Sequence, residues 1–453
     1  MTGPEAETGA GTGEDGAHGR TLRPLVGVLA AMAVSLTGTR ISAVALPWFV
    51  LVTTGSVAQT GLVAFCELAP YVTVKAGLGP LVDRVGPRVV SWSTDLVSAV
   101  AAAAVPVLHV LGVLAFWQVL ALVAVIGAAR GPGDLAKEVM VPEAAERARV
   151  PLERAAGVSG VTERLAGTVG PAVGGGVVAL LGAVPSLGVI AVLFALGSLV
   201  IGVTLPRGVG RAATPPATPG QEGPEGYWRS FVDGFRFLRG DRLLLLAVGM
   251  ICVTNLLDMG VRAVLLPAWA QATGGGPEAI GLVGAALGGA AICGSLVATV
   301  VAHRLPRRMM LFLCFLVAGA PRCLAMAAEL PLGAVVAVVV VGGFAAGFLN
   351  PILAAVLFER VPRHLLGRVG ALGDSVAWAG MPFGGLLAGA AVAGFGLAPA
   401  LVGVAVVYVA VVSASALRPE WREMDRTRST ALRHSAPDNR HDAVPAKQPD
   451  PPG

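Results

Sequence analysis

The chain has 453 residues, of which 55% are hydrophobic and only 13% are charged, and its formal net charge is +5. A soluble domain carries roughly 25% charged residues, so this composition excludes an ordinary soluble globule and indicates that hydrocarbon surrounds much of the protein. A basic chain can also bind nucleic acid, but the positions of the positive residues favour membrane topology instead. We therefore expect the lipid bilayer, and no nucleic acid, as a partner.

Twelve apolar segments follow one another along the chain, each near the roughly 20 residues that a spanning helix needs. The predicted spans are 25–51, 58–82, 89–111, 114–138, 158–183, 185–205, 243–269, 278–302, 309–330, 332–358, 367–393 and 397–417. Residues 1–20 are rich in Gly and acidic residues, and they lack the apolar core of a cleavable signal peptide. We expect the first span to act as an uncleaved signal anchor.

The Arg and Lys residues mark one side of the membrane. All but seven of the 33 lie in the tails, in the loops after even-numbered spans or at their edges, and the loops after odd-numbered spans hold none. Positive residues concentrate on the cytoplasmic side of membrane proteins. The pattern predicts an even number of spans with both termini in the cytoplasm. The excess of Arg over Lys, with abundant Ala and Gly, favours a bacterial source and hence the bacterial cell membrane.

The chain divides into two similar halves. Matching residues recur 220 positions apart: Pro47 with Pro267, Arg84 with Arg304, and GLV at 61–63 with GLV at 281–283. Such matches indicate internal duplication. The predicted regions are a disordered cytoplasmic N-tail (1–24), a six-helix half (25–205), a cytoplasmic linker with an amphipathic segment (206–240), a second six-helix half (241–418) and a disordered cytoplasmic C-tail (419–453).

The segment GPLVDRVGPR between the second and third spans is the sharpest motif. It closely resembles the G-x-L-A-D-R-x-G-R-K loop of the major facilitator superfamily through Gly79, Leu81, Asp83, Arg84, Gly86 and Arg88. The resemblance implies an all-α membrane protein with twelve transmembrane helices in two parallel six-helix repeats, and a gating loop that latches the halves together. The alternative is an ordinary inner loop with a weak exposed salt bridge.

A second motif lies in the fifth span. AGTVGPAVGGG at 166–176 resembles a helix 5 pattern that the superfamily's exporters share, through Gly170, Pro171, Gly174 and Gly175. Small residues let helix backbones approach closely, so generic packing is the alternative explanation. Longer segments resemble the drug and siderophore exporter branch, which includes enterobactin exporters and macrolide efflux proteins. This resemblance implies efflux.

Five charged residues lie deep in predicted spans: Arg40, Glu67, Asp258, Arg262 and Arg322. A charge at this depth costs several kcal/mol unless it is paired or wet, which makes these residues candidates for transport and proton coupling. We expect Arg40 to pair with Glu67, and Asp258 to share a helix face with Arg262 four residues later. Arg322 is harder to explain, because the ninth helix is usually peripheral in this fold. The alternative role is static ion bridging between helices.

A further charged set lies nearer the predicted cytoplasmic ends: Asp95, Arg130, Asp134, Glu163, Arg164 and Asp374. We expect these residues to join the gating network around Asp83 and Arg84 or to extend toward water. For Tyr71, Trp378, Phe344 and Phe348, ordinary packing is favoured over a place in the cavity wall.

The chain lacks a phosphate-binding loop, a nucleophile elbow and HExxH, and its six His and five Cys show no metal-ligand spacing. We therefore expect no enzyme activity, cofactor or metal. The predicted function is a monomeric secondary transporter that exports an amphipathic small molecule, such as a drug, natural product or siderophore, in exchange for protons. The alternatives are an importer or uniporter, and a transport-inactive sensor on the same scaffold.

Overall fold

Twelve long helices make up the structure, a computed structural model that describes residues 22–77, 82, 84–206, 235–362 and 365–422. The first six are α1 (Arg23–Thr54), α2 (Val57–Gly77), α3 (Pro87–Val110), α4 (Phe116–Arg147), α5 (Leu152–Leu181) and α6 (Ala183–Thr204). The others are α7 (Arg242–Gly260, a π-helical turn Val261–Leu265, and Leu266–Ala272), α8 (Gly276–Val301), α9 (Arg307–Ala327), α10 (Leu332–Arg360), α11 (Leu366–Ala379 and Met381–Phe395) and α12 (Leu397–Leu417).

All twelve helices are long and apolar enough to cross a membrane, which confirms the predicted spans. The fourth and fifth helices are longer than predicted, since α4 continues to Arg147 and α5 already begins at Leu152. The added turns are rich in Ala, Glu and Arg, which are good helix formers but are not apolar. Hydropathy therefore detects only the part of each helix that crosses the membrane.

The distribution of polarity is the reverse of that in a soluble protein. Large apolar side chains such as Leu180, Val192 and Leu199 are exposed on the outside of the bundle, whereas Asp95 and Lys137 are buried. Exposed apolar faces fit a hydrocarbon solvent, in which helices satisfy their own backbone hydrogen bonds. The protein is a multi-pass membrane protein.

The two halves repeat the same helix packing. In the N half (α1–α6), α2 and α3 pack on α4, α3 packs on α6, and α1 packs on α5 and α6. The C half (α7–α12) repeats each contact with the helix six places later. The connections repeat as well, because α5 passes to α6 through Gly182 at φ 87°, and α11 passes to α12 through Gly396 at φ 88°. Such positive φ values suit glycine, which has no Cβ.

The halves meet mainly at one end of the bundle, through α2 against α11 and α5 against α8. This far end of the bundle lies opposite the end at which α1 begins and α12 ends. A Cβ added to Gly175 of α5 would lie 2.8 Å from Gly281 Cα of α8, so only glycine fits there. At the other end of α5, Gly157 and Gly160 have no atom within 4 Å of such a Cβ. Among the described residues, the halves are thus in contact at the far end, and the bundle is open at the predicted cytoplasmic end.

Several predicted features lie outside the described residues. They are Gly79, Leu81 and Asp83 of the gating loop, nearly all of the N-tail, most of the linker with its amphipathic segment, and nearly all of the C-tail.

Candidate transport cavity

A cavity lies between the two halves and consists of two connected chambers. The N chamber has a volume of about 380 Å³ and is walled mainly by α1, α2 and α4. The C chamber has a volume of about 370 Å³ and is walled mainly by α7, α8, α9 and α10. Arg40 of α1 and Arg262 of α7 line both chambers and therefore mark the place where they join. Each volume is within the range of small-molecule pockets, roughly 300–1,000 Å³.

In the N chamber, Glu67 of α2 pairs with Arg130 of α4, with Arg130 Nη1 3.0 Å from Glu67 Oε1 and each side chain 14% exposed. The predicted pairing of Glu67 with Arg40 is therefore wrong. The reason is close packing of α2 on α4, where Gly127 leaves room for the backbone of Glu67 and brings Arg130, one turn later, across the carboxylate. The Arg130 guanidinium also lies over the Tyr71 ring, 5.3 Å from its centre.

The Glu67–Arg130 pair is the first step of a polar ladder between α2 and α4. One turn further along both helices, Tyr71 Oη lies 3.5 Å from Asp134 Oδ2. After another turn, Lys75 Nζ lies 3.8 Å from Glu138 Oε1. Residues four apart share a helix face, so the three contacts form a continuous polar strip. This strip leads from the middle of α2 and α4 toward the open end.

Trp378 of α11 lines the N chamber opposite the ladder, and Lys75 Nζ lies 5.5 Å from the centre of its ring. Tyr71 lines the same chamber. Ordinary packing was therefore the wrong prediction for these two aromatic residues. It describes Phe344 and Phe348 better, since their rings pack on each other with centres 5.6 Å apart.

In the C chamber, Asp258 of α7 forms an ion pair with Arg322 of α9. This contact explains Arg322, because the buried arginine extends from α9 into the chamber wall. Asp258 does not pair with Arg262, although the two residues are four apart. The π-helical turn Val261–Leu265 begins just before Arg262 and interrupts the regular helical spacing between them.

Arg40 and Arg262 have no hydrogen-bond or ion-pair partner among the described residues. Arg40 Nε is buried and unsatisfied, and the side chain lies against Gly170, where a Cβ would collide with it. The Arg262 side chain is exposed to the cavity, because it lines both chambers.

The residues of the fifth-span motif lie beside the cavity and at the contact between the two halves. Gly170 lies against Arg40 of α1. A Cβ added to Gly174 would lie 3.1 Å from Ile41 Cα of the same helix. Pro171 and Gly175 face α8, where they lie against Gly284 and Gly281. The small residues thus permit close approach on two sides of α5.

The predicted gating residues do not form one network in the described part of the chain. Asp95 accepts hydrogen bonds from Lys137 Nζ at 2.8 Å and Ser35 Oγ at 2.9 Å, inside the N half. Arg84 is exposed, and Arg88 donates to the Gly202 carbonyl oxygen of α6 at 2.6 Å. Gly86 precedes α3 at φ 94°, and Asp374 lies on an exposed face of α11. No group of three or more His, Cys, Asp or Glu in the described ranges has the geometry of a metal site.

Relatives of known function resemble most of the chain. It is 34% identical over 371 residues to the multidrug efflux pump Tap of Mycobacterium tuberculosis (strain ATCC 25618 / H37Rv), covering 80% of this chain and 85% of that protein. It is also 34% identical over 370 residues to the pump Tap of Mycolicibacterium fortuitum, covering 81% and 88%.

Solved transporters share the fold at low identity. The nucleoside transporter NupG aligns with a TM-score of 0.70 at 13% identity, covering 89% of this chain and 99% of that one. A bacterial homologue of the human lysosomal transporter Spinster, crystallised inward-facing and unoccupied, aligns with a TM-score of 0.68 at 12% identity, covering 91% and 98%. The sequence itself matches the Major Facilitator Superfamily over residues 28–261 and 251–437. The chain therefore belongs to the major facilitator superfamily, as its motifs predicted, and is a membrane transporter and not an enzyme.

Proposed function

We propose that the protein exports amphipathic small molecules from the bacterial cytoplasm in exchange for protons. The relatives named as multidrug efflux pumps support export, since they match four fifths of the chain. The cavity supports an amphipathic substrate, because its wall combines apolar side chains with a few charged ones. In this proposal both termini are cytoplasmic, the linker 206–240 joins the halves, and a single chain is the transporting unit.

The observation that carries proton coupling is the Glu67–Arg130 pair in the cavity wall. A carboxylate deep in the membrane is stable beside a guanidinium, and protonation of Glu67 would remove the charge that holds Arg130. The paired and unpaired states therefore differ in the position of Arg130 as well as in charge. The polar ladder along Tyr71–Asp134 and Lys75–Glu138 would connect Glu67 with water at the open end. We place Asp258 second, because it pairs with Arg322 in the chamber without such a ladder.

Alternating access would follow from the two contacts between halves. Close glycine contacts hold the far end together, and the halves rock about the cavity when these contacts open. The loop 79–88 would latch the opposite end in the other state, with Asp83 and Arg84 as its charged residues. The motif of α5 would act as a smooth contact surface against α1 and α8.

Proton flux through liposomes tests this proposal. Purified protein is reconstituted with a pH-sensitive dye inside, a pH gradient is imposed, and macrolides, siderophores and lipophilic cations are added in turn. We expect at least one compound to trigger proton flux, and Glu67→Gln to abolish that flux. Glu146→Gln is the matched control, since this carboxylate is exposed at the end of α4 outside the cavity.

The variants assign the coupling carboxylate. Loss of flux in Glu67→Gln with retention in Asp258→Asn assigns coupling to Glu67, and the reverse result assigns it to Asp258. Compound movement without proton flux in the wild-type protein would contradict antiport and favour uniport. No movement of any compound by the folded protein would contradict export.

A further inference from the structure

The C chamber carries an unbalanced positive charge. Its wall contains three arginines, Arg40, Arg262 and Arg322, and one carboxylate, Asp258. Asp258 is already paired with Arg322. Two guanidinium groups therefore face the junction of the chambers with no counter-charge in contact with them among the described residues.

The acidic groups of the N chamber do not neutralise these arginines by contact. Glu67, Glu138 and the nearby Asp95 are each paired with another cation, Arg130, Lys75 and Lys137 respectively. Asp134 and Glu163 act on Arg40 electrostatically, but neither forms an ion pair with it. Arg130 repels Arg40, and Arg40 and Arg262 repel each other, because all three carry a positive charge.

Unpaired arginines at this depth are costly, and charged residues inside membrane proteins commonly mark substrate or ion pathways. Two local features set the positions of Arg40 and Arg262. Gly170 provides the space in which Arg40 lies against α5, and the π-helical turn Val261–Leu265 sets the position of Arg262. Single π-helical turns in α-helices often occur at functional sites. The buried, unsatisfied Nε of Arg40 is a further hydrogen-bond donor without an acceptor.

The rest of the C chamber is largely apolar. Val283 and Leu287 of α8, Phe315 of α9 and Leu349 of α10 form its wall, and Asn255 and Tyr408 add a few polar groups. A ligand that fits this chamber has an apolar body and one acidic group at the end nearest α1 and α7. Arginine binds carboxylates well, because its planar fork of donors matches the two carboxylate oxygens.

We propose that the C chamber binds amphipathic organic anions, with a carboxylate between Arg40 and Arg262 and the apolar body against α8, α9 and α10. This inference rests on the proposed export function and specifies its substrate class. The anion supplies the counter-charge that the two arginines lack. A neutral analogue of the same shape gains only the apolar contacts.

Binding of matched pyrene compounds tests the inference. Purified protein in lipid nanodiscs is equilibrated by dialysis with 1-pyrenebutyrate, 1-pyrenebutanol or a pyrenebutyl trimethylammonium salt, and empty nanodiscs give the lipid background. We expect the carboxylate to bind at least tenfold more tightly than the alcohol and the ammonium compound, which corresponds to about 1.4 kcal/mol. Arg40→Gln and Arg262→Gln should each remove most of this preference by weakening binding of the carboxylate more than binding of the alcohol.

Conservative and remote variants complete the design. Arg262→Lys should restore part of the preference, because the charge returns without the fork of donors. Arg236→Gln, at an exposed position before α7, should behave as the wild-type protein. A cooperative thermal unfolding transition at the wild-type temperature shows that a variant is folded.

Equal binding of carboxylate and alcohol, tighter binding of the ammonium compound, or no binding of any pyrene compound would overturn the inference. So would a carboxylate preference that survives both Arg→Gln changes. The proposed export function is judged separately by drug-triggered proton flux in liposomes. Flux without a carboxylate preference would leave export standing and reject only the anion site.

Discussion

Gly61 of α2 and Gly281 of α8 occupy equivalent positions in the two repeats, and each lies against a glycine of the opposite half. Gly61 faces Gly385 of α11, and Gly281 faces Gly175 of α5. The duplication visible in the sequence is therefore also a duplication of the contact that closes the far end. Both contacts consist of backbone against backbone, with no side chain between them.

Adding a methyl group at this contact should loosen the closed end. In Gly281→Ala, the new Cβ would lie 2.9 Å from the Pro171 carbonyl oxygen and 3.1 Å from Gly175 Cα, and backbone atoms cannot rotate away. We expect a destabilisation of about 1–3 kcal/mol, as for overpacked cores, measured by thermal unfolding in detergent. Gly188→Ala in α6 is the control, since no atom lies within 4 Å of its Cβ. Equal unfolding temperatures for the two variants would contradict the expected crowding.

The Asp95–Lys137 pair should be the most sensitive ion pair in the N half. The side chains of Lys137 and Asp95 are 3% and 6% exposed, so Lys137→Met leaves a buried carboxylate without its cation. We expect a loss of about 3–5 kcal/mol in the free energy of unfolding. The double variant Asp95→Asn with Lys137→Met should recover much of this loss.

The matched control for that pair is an exposed one. Arg147 pairs with Glu143 at 2.6 Å, but the Arg147 side chain is 40% exposed. Arg147→Met should therefore cost less than about 1 kcal/mol. A similar loss in Arg147→Met and Lys137→Met would show that burial is not the cause.

Arg322 should stabilise the protein through its ion pair with Asp258. Arg322→Met removes the cation that Asp258 contacts, and the carboxylate, 27% exposed to the cavity, must then be solvated by water there. We expect a destabilisation of about 1–3 kcal/mol, smaller than for Lys137→Met, with partial recovery when Asp258→Asn is added. Thermal unfolding of the two single variants and the double variant measures this coupling. Additive losses in the double variant would show that the two residues act independently.

Cysteine labelling should establish which end faces the cytoplasm. The five native cysteines lie within helices and can be replaced first. We expect a membrane-impermeant maleimide to label Val113→Cys, at the far end, in intact cells, and to label Glu146→Cys, at the open end, only after permeabilisation. Labelling of Glu146→Cys in intact cells would reverse the predicted orientation.

The sequence predicted the helices well because hydrocarbon imposes a simple rule on them. Each span needs enough apolar length, and the positive residues alternate between loops, so twelve helices and their order follow directly. The ends of α4 and α5 did not follow, because the turns up to Arg147 and from Leu152 extend beyond the apolar segments that hydropathy detects.

The charged residues of the cavity were identified, but their partners were not. Glu67 and Asp258 pair with Arg130 and Arg322, which lie on helices distant in sequence, and the packing of those helices decides the partner. One pattern in the sequence does indicate the contacts between α2 and α4. Three polar residues of α2 and three of α4 are each spaced by four, at a constant separation of 63 residues: Glu67 with Arg130, Tyr71 with Asp134, and Lys75 with Glu138. Parallel helices in contact produce this constant separation.

Each ion pair whose partners both lie in the described residues joins two groups of the same half. During synthesis, each half can therefore complete its own ion pairs before it meets the other. In the proposed alternating access, the glycine surfaces that join the halves would separate without breaking any of these ion pairs. A gene cut within the linker should on this account yield two polypeptides that insert independently and assemble into a working transporter.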